Sequence, residues 1–236
     1  MKEPMATPIL QIKDLRIEFG NQLTPITVVK DFTLDLFAGE IVGIVGDSGT
    51  GKSVLAMTIA GLASDMKVKK SGEVLFAGKN LLDCPRDITR QYLGKDISII
   101  FQEPMTALNP LKRIGWQIEE SLRIHTDLDK EMRYKKVLAM LNEVELISPR
   151  RVYQQYPHEL SGGMRQRVMI AMAMICTPKI LIADEITTAL DVIVTTQIMK
   201  LLTRLCEERK TAVLFISHDI DLVKRLCSRI VMMETR

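Results

Sequence analysis

The feature that most constrains this chain is a glycine-rich turn between a buried strand and a helix. Ile41-Val42-Gly43-Ile44-Val45 is almost continuously apolar, which is typical of a strand buried on both faces of a sheet. The following segment, Gly46 to Ser53, fits the pattern G-x-x-x-x-G-K-[ST] at every defined position. The apolar stretch from Val54 to Leu62 then predicts a buried helix. A strand, this turn and a helix in succession predict a phosphate-binding loop in an α/β fold.

Each residue type in the turn has a chemical reason to be there. Glycines let the backbone bring N–H groups close to phosphate oxygens, and the N-terminus of the next helix adds partial positive charge. Lys52 supplies a full charge, and the Ser53 hydroxyl is suited to Mg²⁺. A chance match is the alternative, expected in roughly one chain of this length in a hundred. The predicted contact set is Gly46, Asp47, Ser48, Gly49, Thr50, Gly51, Lys52 and Ser53.

A second apolar strand ends in two carboxylates. Ile180-Leu181-Ile182-Ala183 is followed directly by Asp184 and Glu185. Two carboxylates at the end of a strand are costly without a cation or a polar partner. Asp184 is therefore predicted to hold Mg²⁺, directly or through water. Glu185, as the next residue of an extended chain, is expected to point away from Asp184 and to face a water aligned on the terminal phosphate. The alternative is a surface strand end without such a role.

Alternating strand and helix patterns run through the rest of the chain. Apolar alternation over 10–19 and 32–36 predicts half-buried strands, and shorter strands are predicted at 73–76, 97–101 and 213–216. A long helix is predicted at 192–209 between the last two buried strands. This order favours a mostly parallel sheet covered on both faces. The region 114–146 has helical periodicity and no strand pattern, which indicates a helical lobe inserted into the α/β core.

Composition limits the classes of function. The net charge of +3 among 236 residues gives no argument for nucleic acid as a partner. The apolar runs are far shorter than the ~20 residues of a membrane span, and the N-terminus lacks a signal-peptide pattern, so we expect a cytosolic protein. The basic run Lys67–Lys70 is expected to be a solvated turn. Four scattered cysteines, without C-x-x-C spacing, are expected to be reduced and to form no zinc site: Cys84, Cys176, Cys206 and Cys227.

A third motif is more specific than the first two. Leu160-Ser161-Gly162-Gly163-Met164-Arg165-Gln166-Arg167 is similar to L-S-G-G-Q-x-Q-R, the signature motif of ATP-binding-cassette (ABC) ATPases, with Met164 in place of the usual glutamine. Ser161 is predicted to cap a helix whose first turn exposes N–H donors. The alternative is an N-capped core helix, and both interpretations can hold at once. In the family, this surface contacts the terminal phosphate of ATP bound by the opposite subunit.

Other elements of the family occur in the expected order. Phe101-Gln102-Glu103-Pro104 matches the Q-loop, which implies that Gln102 contacts Mg²⁺ and the attacking water. Thr188-Ala189-Leu190-Asp191 resembles the D-loop, which puts Asp191 at the subunit interface. Ile216-Ser217-His218-Asp219 matches the H-loop, with His218 on the terminal phosphate. Phe19 occupies the place of the aromatic residue that stacks on adenine, although it also fits a core strand position.

The particular residues of these motifs resemble those of one branch of the family. The peptide/nickel importer branch, which serves oligopeptide, dipeptide, glutathione and nickel uptake, has similar residues at Gln102 to Pro110, in the signature variant with Met164, and at Ile182 to Glu185 and Thr187 to Asp191. The resemblance covers essentially the whole chain. It implies an α/β P-loop NTPase core, with a mostly parallel sheet and an N-terminal antiparallel β subdomain, and an inserted helical subdomain. Within a single domain 1–236, residues 1–101 and 165–236 would form the core lobe, and 102–164 the Q-loop and helical signature lobe.

The resemblance also implies a function and partners. The chain would be the ATP-hydrolysing subunit of an importer, bound peripherally at the cytoplasmic face of the membrane. Two subunits, which we expect to be different chains, would enclose two ATP molecules and drive a membrane permease, with an extracytoplasmic solute-binding protein as an indirect partner. A cassette ATPase that acts on nucleic acid and a P-loop kinase are the competing classes. The sequence does not name the cargo, whether peptide, nickel or another solute.

Two departures from the family pattern stand out. Ile186 replaces the proline that normally follows the catalytic glutamate, and because proline stiffens a turn we expect slower turnover. Members of this branch usually continue past the strand near Val231. We therefore expect either an unusually short member or a C-terminal segment beyond Arg236.

Overall fold

The computed structural model of the protein describes residues 7–20, 25–47, 49–63, 68–102, 107–187 and 191–233. These residues form two sheets and a set of helices. The strands are β1 (Leu10–Phe19), β2 (Ile26–Leu36), β3 (Ile41–Val45), β4 (Val68–Phe76), β5 (Lys79–Asn80), β6 (Ile97–Ile100), β7 (Ile180–Asp184), β8 (Ala212–Ser217) and β9 (Arg229–Met232). The helices are α1 (Lys52–Ile59), α2 (Arg86–Tyr92), α3 (Ile114–His125), α4 (Lys130–Glu143), α5 (Pro149–Gln154), α6 (Gly162–Met174), α7 (Val192–Arg209) and α8 (Ile220–Leu226), with a 3₁₀ turn at Pro157–Glu159.

The antiparallel sheet has the strand order β2-β1-β4-β5, so β1 is paired along both edges. Its inward side chains are fully buried, as the sequence alternation predicts: Leu10, Ile12, Leu15 and Ile17. The spacing between successive buried side chains is three residues from Ile12 to Leu15 rather than two, because the pairing of β1 with β2 is irregular there. Asp14, within this irregularity, has a φ of +46°. The bulge therefore returns Leu15 to the buried face.

One short prediction in this sheet is wrong. Residues 68–70 do not form a solvated turn, because they begin β4, where Lys69 pairs with Glu18 and Lys70 pairs with Ile17. Lys67 lies outside the described residues. A basic run reads as a turn in the sequence, whereas pairing with β1 makes it part of a strand whose lysine stems can lie along the sheet.

The parallel sheet, in the order β6-β7-β8-β3-β9, separates two apolar cores. On β7, Leu181 and Ala183 belong to the core beneath α6 and α7. Ile180 and Ile182 belong to the core shared with α1 and the antiparallel sheet. Because both faces are covered, the central strands need apolar residues at successive positions. The predicted α/β class, with a mostly parallel sheet and an antiparallel β subdomain, is confirmed.

Helices α3, α4 and α5 pack on one another, and α3 and α4 also contact α6. A buried carboxylate joins three of them: Glu119 of α3 accepts hydrogen bonds from Arg133 Nε of α4 at 2.8 Å and from the Tyr153 hydroxyl of α5 at 2.9 Å. Burial, followed by the bond to Glu119, raises the pKa of Tyr153 to about 12. The Tyr153 hydroxyl therefore remains a donor at neutral pH.

Helix α6 runs without a break through residues 164 and 165, between which the predicted lobe boundary falls. The assignment of 102–164 to a separate lobe stays a prediction. The bounds of α7 coincide with the predicted helix, and α1 begins two residues earlier than predicted and ends at Ile59. Strand β5 and helix α2 have no counterpart among the predictions, because two and seven residues are too short for a periodic pattern.

The cysteines are free and lie apart from one another. Cys206 is buried in α7, whereas Cys176 and Cys227 are half-buried just after the ends of α6 and α8. Burial raises the pKa of the Cys206 and Cys227 thiols to about 12. Both thiols are therefore protonated at neutral pH and behave as small apolar groups.

Candidate nucleotide-binding site

The glycine-rich turn connects β3 to α1 at the carboxyl edge of the parallel sheet. Ser48 lies outside the described residues; Gly49 and Gly51 have φ values of +87° and +90°, which favour glycine. A Cβ on Gly51 would lie 2.6 Å from Val28 Cγ1. The Thr50 hydroxyl donates to Asp47 O at 2.9 Å, which closes the turn. The backbone of this turn therefore leaves no room for a side chain at Gly51.

Lys52 is the first residue of α1, and its side chain is only 4% exposed. Its Nζ donates to Gly46 O and to Asp47 O, each at 2.8 Å. The same ammonium lies 3.7 Å from Glu185 Oε1. The loop therefore folds around a buried positive charge, which is the arrangement that a phosphate anion requires.

Asp184, the last residue of β7, is 4% exposed. Burial is the largest influence on its pKa and raises it, as does Glu185, whereas a hydrogen bond from Ser53 and the charge of Lys52 act in the opposite direction. The net result is a pKa above the ordinary value of an aspartate. Its Oδ1 atom is buried without a hydrogen-bond partner. A buried oxygen of this kind, beside a serine hydroxyl, fits a divalent cation.

The chain turns sharply after Asp184, which differs from the extended conformation expected from the sequence. Glu185 has a φ of +48°, in the left-handed region, and its amide donates to Ile216 O at 2.9 Å. Ile186, the next residue, is 2% exposed and packs into the core beneath α6. The expectation that an extended backbone separates the two carboxylates is wrong, because a left-handed turn redirects Glu185. Such strain is found where the surrounding structure fixes it, often at functional sites.

The Glu185 carboxylate lies at the centre of the cluster. Oε2 accepts a hydrogen bond from Gln102 Nε2 at 3.0 Å and lies 3.5 Å from His218 Nδ1. Gln102 follows β6 and His218 follows β8, so the two residues come from the strands on either side of β7. With Lys52, these residues converge from three strand ends on one carboxylate, in the crevice where α/β sheets bind ligands.

Of the predicted signature segment, Ser161 and Gly162 are exposed, whereas Leu160 and Gln166 are buried. Ser161 caps α6, and its Oγ accepts from the Met164 amide at 3.3 Å. An added Cβ on Gly162 would have no atom within 4 Å, whereas one on Gly163 would meet Val194 Cγ1 at 3.2 Å. The first turn of α6 therefore presents backbone amides to open space, and one side of it packs on α7.

Asp191 caps α7 in the same manner, and its Oδ1 accepts from the Val194 amide at 2.9 Å. Residues 188–190, the rest of the predicted D-loop, lie outside the described residues. Because Val194 contacts the position of Gly163, the N-terminal ends of α6 and α7 adjoin. Val192 and Ile193, at the start of α7, are 81% and 72% exposed. The predicted interface residues thus form a separate surface rather than part of the Glu185 cluster.

Phe19 is half-buried at the end of β1, paired with Ile26 and Val68. A cleft of about 710 Å³ adjoins the glycine-rich turn; it is lined by β2, Gly49, Thr50 and the end of β9. Of the residues that the structure describes, Phe19 is not among those lining this cleft, so its stacking role stays a prediction. Val28, against Gly51, is a site residue for which the strand pattern carried no signal.

The cluster contains no metal ligand set of its own. Among the residues described, no three of the types His, Cys, Asp and Glu are grouped so that they could hold a metal ion. A Mg²⁺ ion held by one or two protein oxygens and by phosphate oxygens does not need such a group. None of the helices in the described part of the chain has the length and apolar character needed to cross a bilayer.

The chain belongs to the ABC transporter family, whose family model matches residues 29–188. It is 43% identical to the oligopeptide transport ATP-binding protein OppD of Escherichia coli, over 99% of this chain and 69% of that protein. It is 42% identical to the dipeptide transport ATP-binding protein DppD of Haemophilus influenzae, over 95% and 68% of the two chains.

Solved structures of ABC transporter cassettes have the same fold as this chain. The dimeric structure of a bacterial ABC transporter cassette is 32% identical and superposes with a TM-score of 0.83, over 95% of this chain and 94% of the other. A post-hydrolysis dimer of that cassette, with ADP and phosphate bound, is 31% identical, with the same TM-score, over 96% of each chain. The fold and the family together define an ABC-type ATPase.

Proposed function

We propose that this chain is the ATP-hydrolysing subunit of a peptide importer, in which ATP-driven closure of two such subunits acts on a membrane permease. The observation that carries the proposal is the convergence of Lys52, Gln102 and His218 on Glu185 beside the glycine-rich turn. Similarity to oligopeptide and dipeptide transport ATP-binding proteins supports the importer class and peptides as cargo. Nickel complexes are the other cargo that the sequence resemblance leaves open.

The binding roles in this proposal follow from charge and position. The amides of Gly46 to Gly51 and the Lys52 ammonium would bind the phosphates, and Phe19 would stack on adenine. Mg²⁺ would be held by Ser53, Asp184 and Gln102; the buried Asp184 Oδ1 without a partner supports this. When bound, Mg²⁺ would neutralise charge that develops on the transferred phosphoryl group.

The chemistry assigned to the chain's own groups is the activation of water. Glu185 is held by contacts to three side chains, so its carboxylate is positioned to orient a water for attack on the terminal phosphate. Lys52 would stabilise the negative charge on the phosphate oxygens, and His218 would donate to the same group. Gln102 bonds to Glu185, so its movement would alter both the carboxylate and the attacking water.

The second half of the site would come from a partner subunit. Ser161 and Gly162 are exposed and Gly163 is half-buried at a helix N-terminus, which suits contact with the terminal phosphate of ATP held by the other chain. Asp191 would lie at the same interface. We propose a partner that is a different but homologous ATPase subunit, and a permease contacted at the cytoplasmic face of the membrane. An extracytoplasmic binding protein would supply the cargo.

The proposal is tested by co-expression of the chain with a candidate peptide permease and a companion ATPase subunit from the same genome. We expect co-purification with the permease, ATP hydrolysis, and ATP-dependent uptake of labelled peptide into proteoliposomes, with a Lys52→Ala complex as the inactive control. Uptake of ⁶³Ni²⁺ but not of peptide would overturn the cargo assignment. Absence of both the permease complex and ATP hydrolysis would overturn the proposal as a whole. Stimulation of hydrolysis by DNA or RNA alone would favour the nucleic-acid alternative.

A further inference from the structure

The C-terminal end of α4 carries a charged cluster that the proposed chemistry does not use. It lies where α4 meets α6 and α7, and its members are Glu143, Glu145, Arg167, Arg204 and Arg209. Arg167 belongs to α6, and the other two arginines belong to α7. The cluster therefore connects the helix that begins at Ser161 with the helix that begins after Asp191.

Glu145 is the residue that bridges the two helices. Its Oε2 accepts from Arg167 Nη1 at 2.8 Å, and its Oε1 accepts from Arg204 Nη2 at 3.3 Å. The same arginine atoms also donate to backbone carbonyls at the end of α4, Arg167 to Val144 O and Arg204 to Glu143 O, each at 2.9 Å. Cations at a helix C-terminus are favoured by the helix dipole. Each arginine is therefore held by a carboxylate and by a carbonyl.

Glutamate is an unusual residue for the backbone conformation found at position 145. Its φ is +58°, and its amide donates to Asn142 O while the Leu146 amide donates to Leu141 O. This pattern is the C-terminal helix cap at which glycine is usually found, because a side chain is strained there. A glutamate in that position carries backbone strain that a glycine would not have. The two arginine contacts are what its side chain contributes in return.

The N-terminal ends of α6 and α7 also adjoin. Gly163 packs against Val194, whose amide is bound by Asp191. Arg167 lies about 9 Å along α6 from Ser161, and Arg204 about 20 Å along α7 from Asp191, at ~1.5 Å per residue. The two helices are thus joined at their exposed tips and again at Glu145.

We propose that Glu145 is a positioning residue: by bridging Arg167 and Arg204 it fixes the signature tip, Ser161 to Gly163, relative to Asp191, so that both reach the partner subunit together. The proposal rests on the proposed function, in which both segments face the other ATPase subunit. Glu145 itself contacts no nucleotide. Its loss would leave ATP binding intact and would slow the hydrolytic step of the closed dimer.

The test compares Glu145→Gly with Ser148→Gly in the complete complex of permease and ATPase subunits. Ser148 has a similar φ of +59° and caps α5 without a side-chain hydrogen bond, so glycine relaxes the backbone there without touching the cluster. We expect Glu145→Gly to lower kcat about threefold to tenfold with KM for ATP within about twofold, the range usual for coupling residues. Ser148→Gly is expected to match the wild type. Neither variant should lower the thermal midpoint, because both remove backbone strain.

Two further measurements complete the test. Glu145→Gln, which keeps the side chain and removes the charge, should show a smaller loss of kcat; it replaces Glu145→Gly if that variant does not fold. Arg204→Ala and Glu145→Gly both remove the contact between Glu145 and Arg204, so the double variant should lose less activity than the product of the two single losses. Unchanged kcat in both Glu145 variants would overturn the proposal, as would a loss that is fully additive in the double variant.

The outcome stays separate from that of the proposed function. If the wild-type complex does not hydrolyse ATP, the proposed function fails, and the bridge is then judged by hydrogen exchange of the chain. The amides of the first turn of α7 should exchange faster in Glu145→Gly than in Ser148→Gly. Equal exchange in the two variants would overturn the bridging role.

Discussion

Lys52 and Ser161 both lie at the start of a helix to which we assign phosphate, yet their surroundings are opposite. The Lys52 side chain is 4% exposed and contacts two carbonyls and a carboxylate of its own chain. Ser161 is exposed, and the neighbouring Gly162 faces open space. One half of the proposed site is thus assembled by folding, and the other is a capped helix tip that is open at Gly162 and packs on α7 at Gly163. Only the first half can therefore be tested on a single chain.

The largest effect is expected from Glu185→Gln, which keeps the size and shape of this side chain of the assembled half and removes its negative charge. Hydrolysis should fall by about 100-fold or more, the size of effect seen when a principal catalytic group is removed. ATP should stay bound, and dimers should accumulate, which size-exclusion chromatography with ATP would show. Full hydrolysis in this variant would remove Glu185 from the chemistry.

Ser161→Ala tests the exposed half. We expect hydrolysis by the complex to fall about tenfold, with ATP binding to the isolated chain unchanged, because in the proposed dimer the tip would contact only the partner's nucleotide. Asp129→Ala is the matched control: Asp129 caps α4 and accepts from the Met132 amide at 2.8 Å, so each change removes one helix cap, worth ~1 kcal/mol. Equal activity in the two variants would contradict an interface role for Ser161.

Glycine-to-alanine changes at Gly51 and Gly162 test how tightly each half of the proposed site is packed. Gly51→Ala should destabilise the chain by about 1–3 kcal/mol, since φ is +90° and the Cβ would meet Val28 at 2.6 Å. Gly162→Ala should leave stability unchanged or raise it by up to ~1 kcal/mol, because the space is open and alanine favours helix. Thermal denaturation measures both. A destabilised Gly162→Ala chain would mean that the tip is packed within its own subunit.

Asp184 adds a stability test with a defined pH dependence. Burial raises its pKa in the folded chain, so the folded state binds a proton more readily than the unfolded state, and stability declines as pH rises from 3.8 through the folded pKa. Asp184→Asn removes this cost, and we expect a midpoint higher by about 2–4 °C at pH 7 without nucleotide, the change that ~1 kcal/mol gives. The gain should vanish near pH 4. A lower midpoint at pH 7 would contradict a net cost of burying the Asp184 carboxylate with its Oδ1 unpaired.

The smallest effect is expected at Ile186, next to the assembled half. Ile186→Pro should raise hydrolysis about twofold to threefold, if a stiffer turn places Glu185 better. Ile186 is buried, so Ile186→Val serves as the control for a change of packing alone. Unchanged or lower activity in Ile186→Pro would show that isoleucine does not slow turnover.

The sequence predicted most of the fold because its signals are local. Val192 to Arg209 is helical in the sequence pattern and in the structure, since eighteen residues give periodicity several turns to appear. The strand at 180–184 was equally clear, because both of its faces are buried. Strand β5 and helix α2 were missed because they are short, and residues 68–70 were misassigned because a basic run resembles a turn until β1 pairs with it.

The chemical groups of the proposed site can be identified from the amino-acid order alone: a glycine-rich turn with Lys52, two carboxylates after a buried strand, and a capped glycine pair at Ser161. Those are requirements of residue type and spacing, which a linear chain carries. Only the tertiary structure decided that Glu185 turns at a φ of +48° to meet Gln102 and His218, and that Glu145 joins α6 to α7. Such contacts join residues far apart in the chain, and their geometry is fixed by packing, not by the order of the amino acids alone.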